Sequence, residues 1–111
     1  MLVEFWATWC PPCHSTLRWL ARLKERHGER VAVIALAVQS EEAEVREVAG
    51  RMGPSVVWAM ATPEAARAFG DVSAVPALFV FGPDGAAAAT FFGARPELER
   101  EAEAALTGLL R

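Results

Sequence analysis

Phe5-Trp6-Ala7-Thr8-Trp9-Cys10-Pro11-Pro12-Cys13 decides the fold, because an apolar run delivers two thiols at Cys-x-x-Cys spacing. Leu2 to Trp6 is rich in aliphatic and aromatic residues and reads as a strand. Leu17, Leu20 and Leu23 recur at helical spacing beyond the cysteines, which places the pair where a strand passes into a helix. Two thiols three residues apart can close a small disulfide ring and reopen it, so the first chemistry to consider is redox. A thiolate at Cys10 would face the unpaired N–H groups of the helix N-terminus, worth roughly 0.3–1 kcal/mol and up to about 2 when partly buried. That field favours Cys10 as nucleophile. Pro11 and Pro12 suit the first turn, whose N–H groups have no intrahelical partner. Cys13, one turn inside, is the resolving thiol.

The run Phe-Trp-Ala-Thr-Trp-Cys-Pro-Pro-Cys resembles the active-site signature of the thioredoxin superfamily, and its Ala-Thr-Trp-Cys-Pro-Pro-Cys form is similar to the TlpA-like branch of thiol-disulfide oxidoreductases. The resemblance implies an α/β fold, a thioredoxin-like three-layer sandwich with a central mixed sheet. It implies thiol-disulfide exchange with protein substrates and an upstream redox partner, with no metal or organic cofactor. Trp9, Pro11 and Pro12 are then expected at the substrate-binding surface.

At 111 residues the chain suits one core, so a single domain over 1–111 is expected. Eleven basic and 14 acidic residues leave a charge of −3 with no basic run, which argues against nucleic acid as a partner. No apolar run reaches the roughly 20 residues that span a bilayer. Neither a signal peptide nor an anchor is visible, so the expected compartment is the cytoplasm if the chain is complete, and the periplasm or cell envelope if an export signal has been trimmed. A monomer is expected.

Glu4 is out of character in the first strand. Buried, its carboxyl would resist ionisation and exchange a proton near neutral pH. On an edge strand it would simply face solvent. The resemblance implies the first role, since thioredoxin carries a buried acid at this offset that moves protons for the second cysteine.

The first helix is expected over about Cys10 to Arg26, with Trp19 on its flank and Gly28 as its stop. Cys10-Pro11-Pro12-Cys13-His14 also matches the pattern of covalent c-type haem attachment, which needs two thiols and an axial imidazole. A thiol-based metal module is a further alternative, with His14 and His27 as the available imidazoles. Against the haem reading stand the preceding aromatic strand and the proline pair; the metal module would need ligands beyond the two thiols, and neither histidine is clearly placed to supply them. His14 itself reads as a solvent-facing helical residue.

Val31 to Val38 reads as a fully buried parallel strand. Ser40 looks like the N-cap of a second helix with Val45, Val48, Ala49 and Met52 inside. Val56 to Met60 is a short strand, and Thr62 to Gly70 spans a brief helix. This added helix and strand resembles the insertion of TlpA-like proteins. Val72-Ser73-Ala74-Val75-Pro76 precedes the strand Ala77 to Phe81. The resemblance implies a cis Val75–Pro76 bond, with both residues holding a partner segment. Pro83-Asp84-Gly85 turns into Ala86 to Phe92, and a last helix over about Pro96 to Leu110 buries Leu98, Ala102, Ala105, Leu106 and Leu109. Thr16, Ser73, Ala74 and Ala77 depart from the cytochrome c maturation members of the branch, so the expected role is general reduction of protein disulfides, with a disulfide isomerase or oxidase of the same fold as the alternative.

Overall fold

The computed structural model describes residues 1–70 and 74–110; the expectations for Val72 and Ser73 lie outside that range. Five strands form one mixed sheet in the order β3-β2-β1-β4-β5. Strand β1 (Leu2–Trp6) is its centre. It pairs in parallel with β2 (Val33–Ala37) and antiparallel with β4 (Ala77–Phe81). β3 (Val57–Met60) extends β2 in parallel, and β5 (Ala87–Phe92) closes the other edge as a hairpin with β4.

Strand alternation divides the core. Leu2 and Trp6 face a layer made by α1 (Pro11–His27), α2 (Glu42–Met52) and α4 (Leu98–Leu109), packing with Leu17, Leu20, Val45, Val48, Ala102 and Leu106. Val3 and Phe5 face the opposite side, where α3 (Pro63–Ala68) supplies Ala66, with Phe69 just beyond it. The result is the expected three-layer sandwich, with the inserted α2 and β3 in place.

Several local expectations need correction. α1 begins at Pro11 rather than Cys10 and runs to His27 before Gly28, at φ 60°, ends it. Trp19 is buried rather than flanking, because it lies between α1 and α4 beside the Arg26–Glu103 ion pair at 3.2 Å. β2 is buried on one face only. Ile34 and Leu36 stay half-exposed, since the six-residue α3 covers only part of their side of the sheet. Ser40 is not the cap of α2. Its hydroxyl accepts from Thr8 N–H at 2.9 Å and donates to the Val38 carbonyl at 2.9 Å, leaving Glu41 at the N-cap position without a side-chain bond. Ala105 and Leu109 are half-buried, while Leu98, Ala102 and Leu106 carry the inner face of α4.

Candidate active site

The site lies at the C-terminal end of β1. Cys10 occupies the N-cap of α1 in extended conformation, and Pro11 and Pro12 take the first two helical positions. Cys10 and Cys13 are joined as a disulfide, their Cα atoms 5.3 Å apart. Cys13 N–H donates to Cys10 Sγ at 3.3 Å, so the side chain of Cys10 itself caps the helix. Cys10 is 5% exposed and Cys13 fully buried, whereas Pro11, Pro12 and Trp9 stand in solvent, Trp9 at 59%.

Trp9 is exposed yet tethered. Its indole Nε1–H donates to the Gln39 carbonyl at 2.9 Å. Gln39 adopts φ 47°, a left-handed conformation that costs a non-glycine residue roughly 1–2 kcal/mol. Together with the Thr8–Ser40 bond, this ties the β2–α2 loop to the turn before Cys10. His14 adds a third tie. Its Nε2 lies 2.9 Å from the Thr8 carbonyl, which can only accept, so Nε2 carries the hydrogen. The ring stands edge-on to Trp6 with centroids 6.0 Å apart. His14 is therefore half-buried and engaged, not solvent-facing. In this arrangement the imidazole is turned to the protein backbone and the two sulfurs to each other.

The cis Val75–Pro76 bond comes to the same end of the sheet, because Ala77 pairs with Phe5 and so sets Pro76 beyond the pairing, toward Trp6. Val75 packs against the cluster that holds Cys10 and Cys13. The Pro76 carbonyl accepts from Gly93 N–H at 2.8 Å, which fixes the loop to the end of β5.

Glu4 is fully buried in the central strand, flanked by Ala35 and Leu78 on the face that α1 covers. The edge-strand alternative is thereby removed. Neither carboxyl oxygen has a hydrogen-bond partner among the described residues, and burial pushes the carboxyl well above its usual range. Burial thus disfavours the Glu4 anion at this depth.

Sequence reasoning did not find Gln39, Ser40 or His14 as parts of this site. Gln39 left no signal, since nothing in a glutamine marks positive φ. For Ser40 the hydroxyl was visible but its long-range partner, Thr8, was not. His14 sits four residues after Cys10 in a helix whose first turn must return over Thr8, a signal that only the fold makes readable.

The description "Redoxin" belongs to the family model that matches residues 1–106. Thioredoxin of Listeria monocytogenes is 28% identical over 99 residues, covering 89% of this chain and 74% of that protein. The thioredoxin-like protein YneN of Bacillus subtilis is 33% identical over 48 residues, which are 43% of this chain but only 28% of the relative. Among solved structures, a thiol:disulfide interchange protein of the thioredoxin family from Chlorobium tepidum superposes with a TM-score of 0.86 at 27% identity, over 99% of this chain and 79% of its own. No helix among the described residues is long and apolar enough to cross a membrane.

Proposed function

We propose that this chain, which belongs to the Redoxin family and is a thioredoxin-like thiol-disulfide oxidoreductase, works in the reducing direction on protein disulfides. Cys10 thiolate attacks one sulfur of a client disulfide, forming a mixed disulfide and releasing the other client sulfur as a thiolate. Cys13 thiolate then attacks Cys10 Sγ and releases the second client thiolate. The client has gained two electrons and Cys10–Cys13 is oxidised. An upstream dithiol returns the electrons by the same exchange in reverse.

The observation that carries the direction is how little holds the Cys10 sulfur. Among the described residues its hydrogen bond comes from Cys13 N–H alone, and the neighbouring imidazole is engaged by Thr8. With no cationic side chain bonded to it, a Cys10 thiolate would draw only on the helix N-terminus, roughly 0.3–1 kcal/mol and up to about 2 when partly buried, and stronger stabilisation of the reduced form is what makes a dithiol an oxidant. Likeness to a thioredoxin over 99 residues supports the same direction.

The other residues act around this exchange. Glu4, beneath α1, serves as the proton relay for Cys13: its carboxylate form takes the thiol proton as Cys13 attacks Cys10 Sγ, the negative charge leaves with the client thiolate, and Glu4 is left in the protonated form that burial favours. Trp9, Pro11 and Pro12 form the contact surface, and Val75 with Pro76 receives the client backbone beside its cysteine. The chain acts as a monomer, without a metal or organic cofactor.

The test is turnover of a disulfide-bonded peptide with dithiothreitol as electron source. Wild-type protein should turn over, Cys10→Ser should be inert, and Cys13→Ser should accumulate a one-to-one mixed disulfide visible by mass. If the reduced protein leaves the peptide untouched while its oxidised form converts peptide dithiols to disulfides, the direction is the opposite.

A further inference from the structure

A second recess lies beside the dithiol, along the outer side of α1. It holds about 320 Å³ between α1 and the end of α2, lined by His14, Arg18, Arg22, Glu25, Arg51 and Met52. His14 and Arg18 also border a shallower depression that reaches Trp9 and Pro11, on either side of Cys10. From His14 to Glu25 the helix rises about 16 Å, the span of roughly five extended residues.

The charge in this recess is unbalanced. Arg26, Arg46, Arg67 and Arg95 each pair with a carboxylate, whereas Arg18, Arg22 and Arg51 have none within salt-bridge distance among the described residues. The one acid in the lining, Glu25, accepts a hydrogen bond from Ser55 Oγ at 3.1 Å. Three guanidiniums without a carboxylate partner among the described residues, Arg18 donating only to Ser15 Oγ at 3.4 Å, thus share one concave surface in a chain whose net charge is −3. Guanidinium groups match carboxylates in shape and charge, and unpaired ones in a concavity focus a positive field.

We propose that this recess binds an acidic segment of the partner protein, a few residues removed from the cysteine that Cys10 attacks. The proposal rests on the thiol-exchange reading and deepens it. The Trp9–Pro11 rim receives the client cysteine, and Arg18, Arg22 and Arg51 receive Asp or Glu side chains farther along the same chain. The length of the recess favours a peptide over a small anionic disulfide.

Two disulfide peptides of equal length, one with three Asp or Glu placed four to eight residues from the cysteine and one with Asn and Gln there, test this. The readout is the ratio of their kcat/KM values at low and high salt. With wild-type protein the acidic peptide should be favoured about fivefold to tenfold at low salt, falling toward parity at high salt. Replacing all three arginines, Arg18→Gln, Arg22→Gln and Arg51→Gln, should bring the ratio near one, and the corresponding Lys variants should restore part of it. A wild-type ratio of one, or a ratio unchanged by the Gln variants, overturns the proposal. A cysteine-free acidic peptide, titrated against the protein by calorimetry, separates the two readings: binding that is lost in the triple variant supports the recess even if neither disulfide is reduced, and no binding counts against it. Equal preference for oxidised glutathione, again lost in the triple variant, would overturn the peptide assignment in favour of a small-disulfide site.

Discussion

The two faces of the sheet are built from the same strands and differ in what they leave unsatisfied. On the α3 face, Phe5, Phe69, Phe79, Phe81 and Phe92 pack edge to face or stacked, with centroids 5.0–6.5 Å apart, and the buried members of the cluster are all apolar. The face under α1 holds Cys13, Glu4 and Trp6, and there the Glu4 carboxyl and the indole N–H groups of Trp6 and Trp58 have no partner among the described residues. One side of β1 is optimised for packing. The other tolerates polar groups at a cost in stability, and it is the side that carries the dithiol.

The largest expected effect tests whether the two roles are separable. Phe5→Ala should cost about 3–5 kcal/mol in chemical unfolding. The same variant should leave the reduction potential of the cysteine pair unchanged, because Phe5 faces away from α1. A shift of the potential in step with the lost stability would show the faces to be coupled.

Glu4→Gln sharpens the contrast from the other side. The folded protein favours the protonated carboxyl, so Glu4 is least harmful below its unfolded value of about 4.3. As pH rises above that value, the unfolded chain releases the proton while the folded chain keeps it. Native stability should therefore fall relative to Glu4→Gln by at most about 1.4 kcal/mol per pH unit, until the raised folded value is passed. Paired urea titrations from pH 4 to 9 measure this. Parallel curves would mean that Glu4 has no raised value. In rapid-mixing experiments the variant should also slow release of the client from the mixed disulfide, while formation of that intermediate keeps its rate.

The smallest effect belongs to the packing face. Thr62 caps α3, its Oγ1 accepting from Ala65 N–H at 3.0 Å. Thr62→Ala should cost about 1 kcal/mol, read as a lower urea midpoint with unaltered exchange kinetics.

Periodicity and punctuation made most of this architecture readable before any coordinates. Leucine spacing marked α1, Thr62-Pro63 marked α3, and Pro83-Asp84-Gly85 marked the hairpin, because each signal is local. Long-range partners were not readable. Ser40 looked like a cap since a hydroxyl before two glutamates is the local signature of one, but its bond to Thr8 crosses 32 residues. Trp19 was expected on the flank of α1, yet it is buried in the cluster to which α4 contributes Leu98, Ala102 and Leu106. The cis bond at Pro76 came from resemblance, as the residues on either side carry no isomer signal. The burial of Glu4 required knowing that β1 is central, a fact set by strand order and not by the five residues of the strand.

The equilibrium of Cys10 and Cys13 against glutathione or dithiothreitol buffers, followed by tryptophan fluorescence, decides the direction of exchange. A reduction potential near or below about −270 mV, where thioredoxin lies, is the predicted result. A value near −120 mV, as for DsbA, would make the pair an oxidant and contradict it.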